Sequence, residues 1–318
     1  MALPQIDPKF LKKLNSYKLD LVHIHSPFPM GKIGAAYAKR HNIPLVATLH
    51  SQFKQDVDVL FRSNIMRKIA MRYLMSTFDK CDECWAVNDA IKELYINDYK
   101  IKSHVDVVYN ATNHRPVLHP EKAALKVNER YNLDPSIPVF NFVGRIDLIK
   151  NIGFTLEVLK ILKLRGLEFK MLFVGDGIHV AHVCNMIKEY NLEDRVIMCG
   201  MIRDIKFVER INSRSSLMLF PSLYDANSLV QIEAAAQGTP TVFLEGAKTA
   251  STVTNGVNGF IVKNDINAYA DAIMDILSRP DYLKQVSEGA FRDLYITWDS
   301  VVDNVYNRYC DIMKRWQK

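Results

Sequence analysis

The residues best suited to chemistry are concentrated in FPSLYDANSLVQIEAAAQGTP, Phe220 to Pro240. The apolar run Leu217 to Phe220 reads as a buried strand, Pro221 and Ser222 as a turn, and Ser228 to Gln237 as a helix. Asp225 precedes that helix and Glu233 lies inside it. Open parallel sheets bind ligands in the crevice outside the carboxyl ends of their strands, so both carboxylates are expected to line one crevice. A helix N-terminus offers unpaired N–H groups and partial positive charge, which makes Asn227, Ser228 and Leu229 the expected seat of a phosphate. One carboxylate for sugar hydroxyls (Asp225), one for a ribose diol (Glu233) and a helix end for a diphosphate together describe a nucleotide-sugar site.

A second group lies in GRIDLIKN, Gly144 to Asn151, which follows a strand and opens a helix. Gly144 permits close backbone approach. Arg145 and Lys150 set two cations near the strand's carboxyl end. Taken singly, either is as well explained by a solvated loop, but convergence of cations and acids on one crevice favours a binding role. Gly175, in GDG after the strand Phe169 to Val174, is a short glycine motif consistent with a nearby nucleotide. His50 ends the strand IPLVATLH. His23 and His25 share one strand face, with no third metal ligand spaced nearby. Cys81 and Cys84 form a C-x-x-C at a strand entry, where packing is the simpler reading.

The Phe220–Pro240 segment resembles the paired-acid motif of family-4 retaining glycosyltransferases of the GT-B fold. That motif usually has Glu at both ends of a seven-residue gap; here Asp225 stands first, and Ala226, Asn227 and Ser228 replace a glycine-rich turn. The resemblance implies an α/β protein, GT-B-like, with two Rossmann-like doubly wound domains. It implies that Arg145 and Lys150 contact the donor diphosphate and stabilise it as it leaves, and that His50 faces the transferred sugar. It implies a UDP- or GDP-type nucleotide sugar as substrate, no cofactor or metal, and a glycan or lipid acceptor. The reaction implied is retaining hexosyl transfer, with the leaving phosphate helping to deprotonate the incoming hydroxyl. The resemblance begins late, at a mid-domain strand, so the first domain is expected to be incomplete. Residues 1–115, with a crossover helix over 298–318, would form the partial acceptor-side domain, and 116–297 the donor domain. The competing reading is a truncated, weakly active or inactive nucleotide-sugar-binding or scaffold protein of the same fold.

Composition agrees with a globular protein. The chain has 318 residues, enough for two domains, with 48% hydrophobic and 24% charged residues. No apolar run approaches a membrane span, and MALPQIDPKFLKKL lacks the apolar core of a signal peptide. Five cysteines suit a reducing, cytoplasmic setting. The net charge of +6 suits an anionic donor or membrane but argues no nucleic-acid partner. No G-x-G-x-x-G follows a strand, which disfavours a dinucleotide-dependent oxidoreductase. Strand and helix patterns alternate on both sides of a polar joint at Ala111 to Pro120. FRSNIMRKIAMRYLMSTF, Phe61 to Phe78, is basic, free of acids and amphipathic. It is readable as a peripheral contact with an anionic membrane, or as a core-facing stripe with a solvated basic edge.

Overall fold

The computed structural model describes residues 7–316. The first six residues, part of the N-terminus compared above with a signal peptide, and the last two of the expected crossover segment lie outside the described residues. In chain order the first elements are α1 (Pro8–Asn15), β1 (Val22–Ile24), α2 (Pro29–His41), β2 (Leu45–Leu49), α3 (Phe53–Leu60), α4 (Asn64–Phe78), β3 (Glu83–Ala86), α5 (Asp89–Glu93) and β4 (Val105–Val107). Then follow α6 (Pro120–Tyr131), β5 (Val139–Val143), α7 (Ile152–Leu164), β6 (Lys170–Val174), α8 (Val180–Glu189), β7 (Val196–Gly200), α9 (Ile205–Arg214) and β8 (Leu217–Leu219). The last are α10 (Leu229–Ala235), β9 (Thr241–Leu244), β10 (Phe260–Val262), α11 (Ile266–Leu277), α12 (Pro280–Leu294) and α13 (Trp298–Trp316).

The chain divides into two compact units, Met1–Asn110 with Asp299–Lys318, and Ala111–Trp298. The first holds a four-stranded parallel sheet in the order β1-β2-β3-β4. Parallel strands are buried on both faces, which fits the fully buried β2 and β3. One face is covered by α13, whose Ile312 packs on Val46 and Trp85. The polar groups around this contact are matched. Glu83 accepts from Trp85 Nε1 at 2.7 Å and from Arg315 at 2.9 Å, and Arg308 donates to Asp106 at 2.6 Å.

The second unit holds six parallel strands in the order β10-β9-β8-β5-β6-β7. Its core is built from strand residues such as Phe140, Phe142, Phe173 and Phe243, with Leu156 and Leu159 of α7 and Ile273 of α11 against them. The chain starts at the central β5, winds outward through β6 and β7, then returns to the other side of β5 with β8. Strand order therefore reverses between β5 and β8.

Some expected boundaries move. Strand β4 pairs with β3 over Val105–Val107. Helices α3, α6 and α12 had no counterpart in the sequence reading. The joint at Ala111 to Pro120 is bound to the second unit. Thr112 N donates to Ile296 O at 2.9 Å, Arg115 N to Glu209 Oε1 at 2.8 Å and Val117 N to Gln237 Oε1 at 3.0 Å. These bonds place the unit boundary at Asn110, ahead of the 115/116 division read from the sequence.

Asn141 in β5 and Asn212 in α9 are fully buried, and Asn141 Nδ2 donates to Asn212 Oδ1 at 2.6 Å. Removing one partner strands a buried amide, whereas removing both does not. Asn212→Leu is expected to lower the unfolding free energy by about 1–3 kcal/mol. Asn141→Leu/Asn212→Leu is expected to recover part of that loss, as read by chemical denaturation of the two variants.

Candidate functional site

The reversal between β5 and β8 leaves the loops that follow these strands on opposite sides of one crevice, the position where doubly wound sheets bind ligands. The β5 loop supplies Gly144, Arg145 and Lys150; the β8 loop supplies Asp225 and, at its end, Asn227, Ser228 and Leu229. Asn151 Nδ2 donates to Pro221 O at 3.2 Å, which ties the loops together.

Gly144 leaves β5 at φ +155, a region open to glycine, and Gly175 leaves β6 at φ +144. A Cβ on Gly175 would lie 1.8 Å from the carbonyl oxygen of Gly144. Gly175 was read as allowing a nucleotide to approach. Its missing side chain is already required by the neighbouring strand's exit.

Lys150 closes a 3-10 turn, Leu148–Lys150, and its ammonium forms an ion pair with Asp225 across the crevice. Both side chains are largely buried, at 14% and 17% exposure. Arg145 stays 59% exposed, with Nε 3.3 Å from Asp147, whose other oxygen lies 3.2 Å from His179 Nδ1. Asp147 also accepts from Ile149 N at 3.2 Å, so it shapes the loop that carries both cations.

Helix α10 spans Leu229–Ala235, shorter than the Ser228 to Gln237 read from sequence. Its cap is Ser228, whose hydroxyl accepts from Gln231 N at 3.3 Å. The cap is thus Ser228 and not Asp225. Ser228, expected at the donor, has its hydroxyl engaged by the helix and is nearly fully buried. Asn227 is half-buried and Leu229 is exposed.

Glu233 is mostly buried, and its partner is a residue the sequence reading placed in a linker. His114 Nε2 lies 3.7 Å from Glu233 Oε1. Burial pushes the Glu233 carboxyl above its ordinary value, and His114 pulls it partly back. His114 is held by its own backbone, with its N–H donating to Thr112 Oγ1 at 3.0 Å and its carbonyl accepting from Tyr295 OH at 3.1 Å. Only its place within NHRP, before the second unit's first helix, could have flagged it.

His50 lies in the first unit. Pairing of β1 with β2, Ile24 opposite Ala47, sets His25 and His50, each one residue past its strand, diagonally near one another. His25 Nδ1 and His50 Nε2 are 3.0 Å apart and the rings stack. His23 stacks on His25 and bonds Thr48 Oγ1 at 2.8 Å and Tyr309 OH at 2.5 Å. The neighbouring imidazole missed in sequence is thus His50, across the strand pair. Burial, then the neighbouring imidazoles, lowers His23 to about 3, and burial followed by His25 lowers His50 to about 4. Among the described residues, no group of three or more His, Cys, Asp or Glu is placed to hold a metal ion. Cys81 and Cys84 are buried free thiols that donate to backbone carbonyls.

Cations and carboxylates at the switch point of a parallel α/β sheet occupy the position where doubly wound folds bind ligands. The chain belongs to the glycosyl transferases group 1 family, whose profile matches residues 126–293, and residues 2–115 match the Glycosyltransferase Family 4 profile. It is a GT-B glycosyltransferase. The alpha-monoglucosyldiacylglycerol synthase of Streptococcus pneumoniae is 23% identical over 239 residues, covering 74% of this chain and 54% of that protein. The N-acetyl-alpha-D-glucosaminyl L-malate synthase of Bacillus anthracis is 22% identical, covering 93% of this chain and 76% of its own. Among solved structures, the sucrose-phosphate synthase from Thermosynechococcus elongatus has a TM-score of 0.81 at 22% identity, covering 98% of this chain and 78% of that one. Anabaena HepE in complex with UDP and glucose has a TM-score of 0.79 at 17% identity, covering 98% and 83%.

The raised Glu233 carboxyl means that its charge costs stability in the free protein as pH rises through its folded value. Glu233→Gln mimics the neutral acid at every pH. The variant is expected to melt at or above the parent's temperature at neutral pH. The difference should vanish on acidification below the ordinary value of 4.5, as read by thermal scans across pH.

Proposed function

We propose that this protein transfers a hexose from a UDP- or GDP-type nucleotide sugar to a glycan or lipid acceptor, with retention of anomeric configuration. The observation that carries the reading is the pairing of Lys150 on the β5 loop with Asp225 on the β8 loop, at the point where strand order reverses, with Arg145 on the same β5 loop. A diphosphate seated there meets two cations. Its negative charge grows as the sugar–phosphate bond breaks, so Arg145 and Lys150 stabilise the transition state more than the ground state. The acceptor oxygen bonds the anomeric carbon on the face the phosphate leaves, and its proton passes to a phosphate oxygen. Asp225, released from Lys150 or sharing it, accepts from sugar hydroxyls, and Glu233 accepts from the ribose diol.

A nucleotide-sugar donor is supported by the solved HepE structure, which holds UDP-glucose. A lipid acceptor is supported by two relatives named alpha-monoglucosyldiacylglycerol synthase, at 23% and 22% identity. No described helix is long and apolar enough to cross a membrane. Peripheral contact through residues 61–78 belongs to the same reading.

Calorimetric titration with UDP, GDP and ADP is expected to show binding of at least one. Glu233→Ala should weaken it about 10- to 100-fold, since a hydrogen bond to a charged group contributes about 1.5–3 kcal/mol. Lys150→Ala should lower kcat about 10²–10³-fold, as losing one preorganised donor does elsewhere. Absence of binding by all three nucleotides overturns the donor site. Binding without turnover of any UDP- or GDP-sugar favours the scaffold reading. An inverted anomeric signal in the product's proton spectrum overturns retention.

A further inference from the structure

We propose that the outward face of α3 and α4 in the first unit is a docking surface for an anionic lipid bilayer. It deepens the peripheral contact in the proposed function and rests on that reading. The sequence left two orientations open for α4, and the structure decides between them. Its buried residues are Leu74, Met75, Thr77 and Phe78, all in the last turns. Ile65, Ile69 and Tyr73, one turn apart on a single helix face, are 71%, 57% and 62% exposed. The apolar stripe thus turns away from the core over most of its length. The end of α3 extends it, with Val59 at 85% and Leu60 at 73% exposure. Arg67 fixes the two helices together by donating to Phe61 O at 2.7 Å and Asp58 O at 3.2 Å. Scattered exposed apolar residues are ordinary, but a run of them on two adjoining helices marks an interaction site.

The chemistry of the partner follows from the charges. A groove of about 1240 Å³ lies beside this ridge, lined by Lys54, Arg67, Lys68, Arg72, Lys100 and Lys102 among others. Its acids are Asp58, Asp79 and Asp98. Asp58 is held by Arg67 at 3.3 Å, and Asp79 accepts from Lys102 N at 2.8 Å. Among the described residues, no ion pair engages the Lys54, Lys68, Arg72, Lys100 or Lys102 side chains. α4 itself contains no acid. Lys and Arg flanking an exposed apolar ridge match the two layers of a bilayer interface, acyl chains under anionic headgroups. The long stems of Lys68 and Arg72 allow their charges to reach the headgroups while Ile65 and Ile69 sit lower. The groove is far wider than one phosphate requires, which favours a headgroup layer over a single bound anion.

The test is co-sedimentation of the full chain with vesicles of phosphatidylglycerol and phosphatidylcholine, against phosphatidylcholine alone, at low and high salt. Binding is expected only to the anionic vesicles, with release at high salt because the attraction is screened. Lys68→Glu/Arg72→Glu and, separately, Ile65→Ser/Ile69→Ser should each weaken it at least tenfold. Lys122→Glu/Lys126→Glu on α6 makes the same charge change elsewhere and should have little effect. Equal binding to neutral vesicles overturns the proposal, as does a comparable loss in the α6 control, which would make the attraction one of net charge. Binding to heparin as tight as to vesicles, with the Ile65→Ser/Ile69→Ser variant unimpaired, identifies a soluble polyanion as partner and overturns it too. Nucleotide titration of the same proteins separates the two readings, since the donor residues lie in the other unit. Lost nucleotide binding with retained vesicle binding would sink the donor reading and leave this surface standing.

Discussion

The second unit is governed by one topological constraint, the reversal of strand order at β5 and β8. Right-handed crossovers put successive helices on one face while the chain winds outward and on the other after it returns. The loops leaving β5 and β8 therefore cannot be covered by a shared crossover helix, and a crevice opens between them. Polar groups of both loops meet there, as Lys150 with Asp225 and Asn151 with the Pro221 carbonyl. Lys150 and Asp225 are far apart in sequence, yet they form one ion pair because their strands are neighbours. The Asn151 bond to Pro221 ties the same two loops, and Gly175, leaving β6, lies close against Gly144 of the β5 loop.

Two buried acids in this unit are handled differently, and the difference bears on function. Asp225 is paired with a fixed cation at close range, so its charge is offset in the free protein. Glu233 has only an imidazole, at 3.7 Å, and burial dominates its ionisation. A carboxylate kept partly desolvated and incompletely paired is costly to fold, and it is also ready to accept from a ligand's hydroxyls. Breaking a buried pair by removing one partner usually costs about 3–5 kcal/mol, because the other charge is stranded. The Lys150–Asp225 pair thus holds both side chains in place in the free protein.

Legibility in the sequence followed the range of the interactions involved. The second-unit strands β5, β6 and β8 were visible because parallel strands buried on both faces read as apolar runs. The paired acids and the loop cations were visible because strand-to-helix turns place chemistry at predictable positions. Helices α6 and α12 were missed although each begins with Pro at its first turn, and α6 ends on a left-handed Asn132, both local signals. Contacts over long sequence distances were not legible. His114 looked like linker because its partner lies 119 positions away in Glu233. His50 looked solitary because its neighbour stands on the adjacent strand. The orientation of α4 was undecidable because a helix's period shows which residues share a face but not which face the core receives.

The histidines of the first unit carry the same lesson into chemistry. His23 lies between two hydroxyls, Thr48 and Tyr309, each able to donate or accept, so a neutral ring is satisfied in either tautomer. Burial lowers His23, His25 and His50 alike, which favours the neutral form of each ring. A neutral His25–His50 pair shares a single proton between the facing nitrogens, which links the two tautomers. When His50 donates that proton, its remaining ring nitrogen is an acceptor; when it accepts, the remaining nitrogen is a donor. A strand-end imidazole held this way presents a hydrogen-bonding group without bringing a charge, which suits an uncharged hydroxyl-bearing ligand better than a phosphate. The cations Arg145 and Lys150 are instead carried by the β5 loop of the second unit.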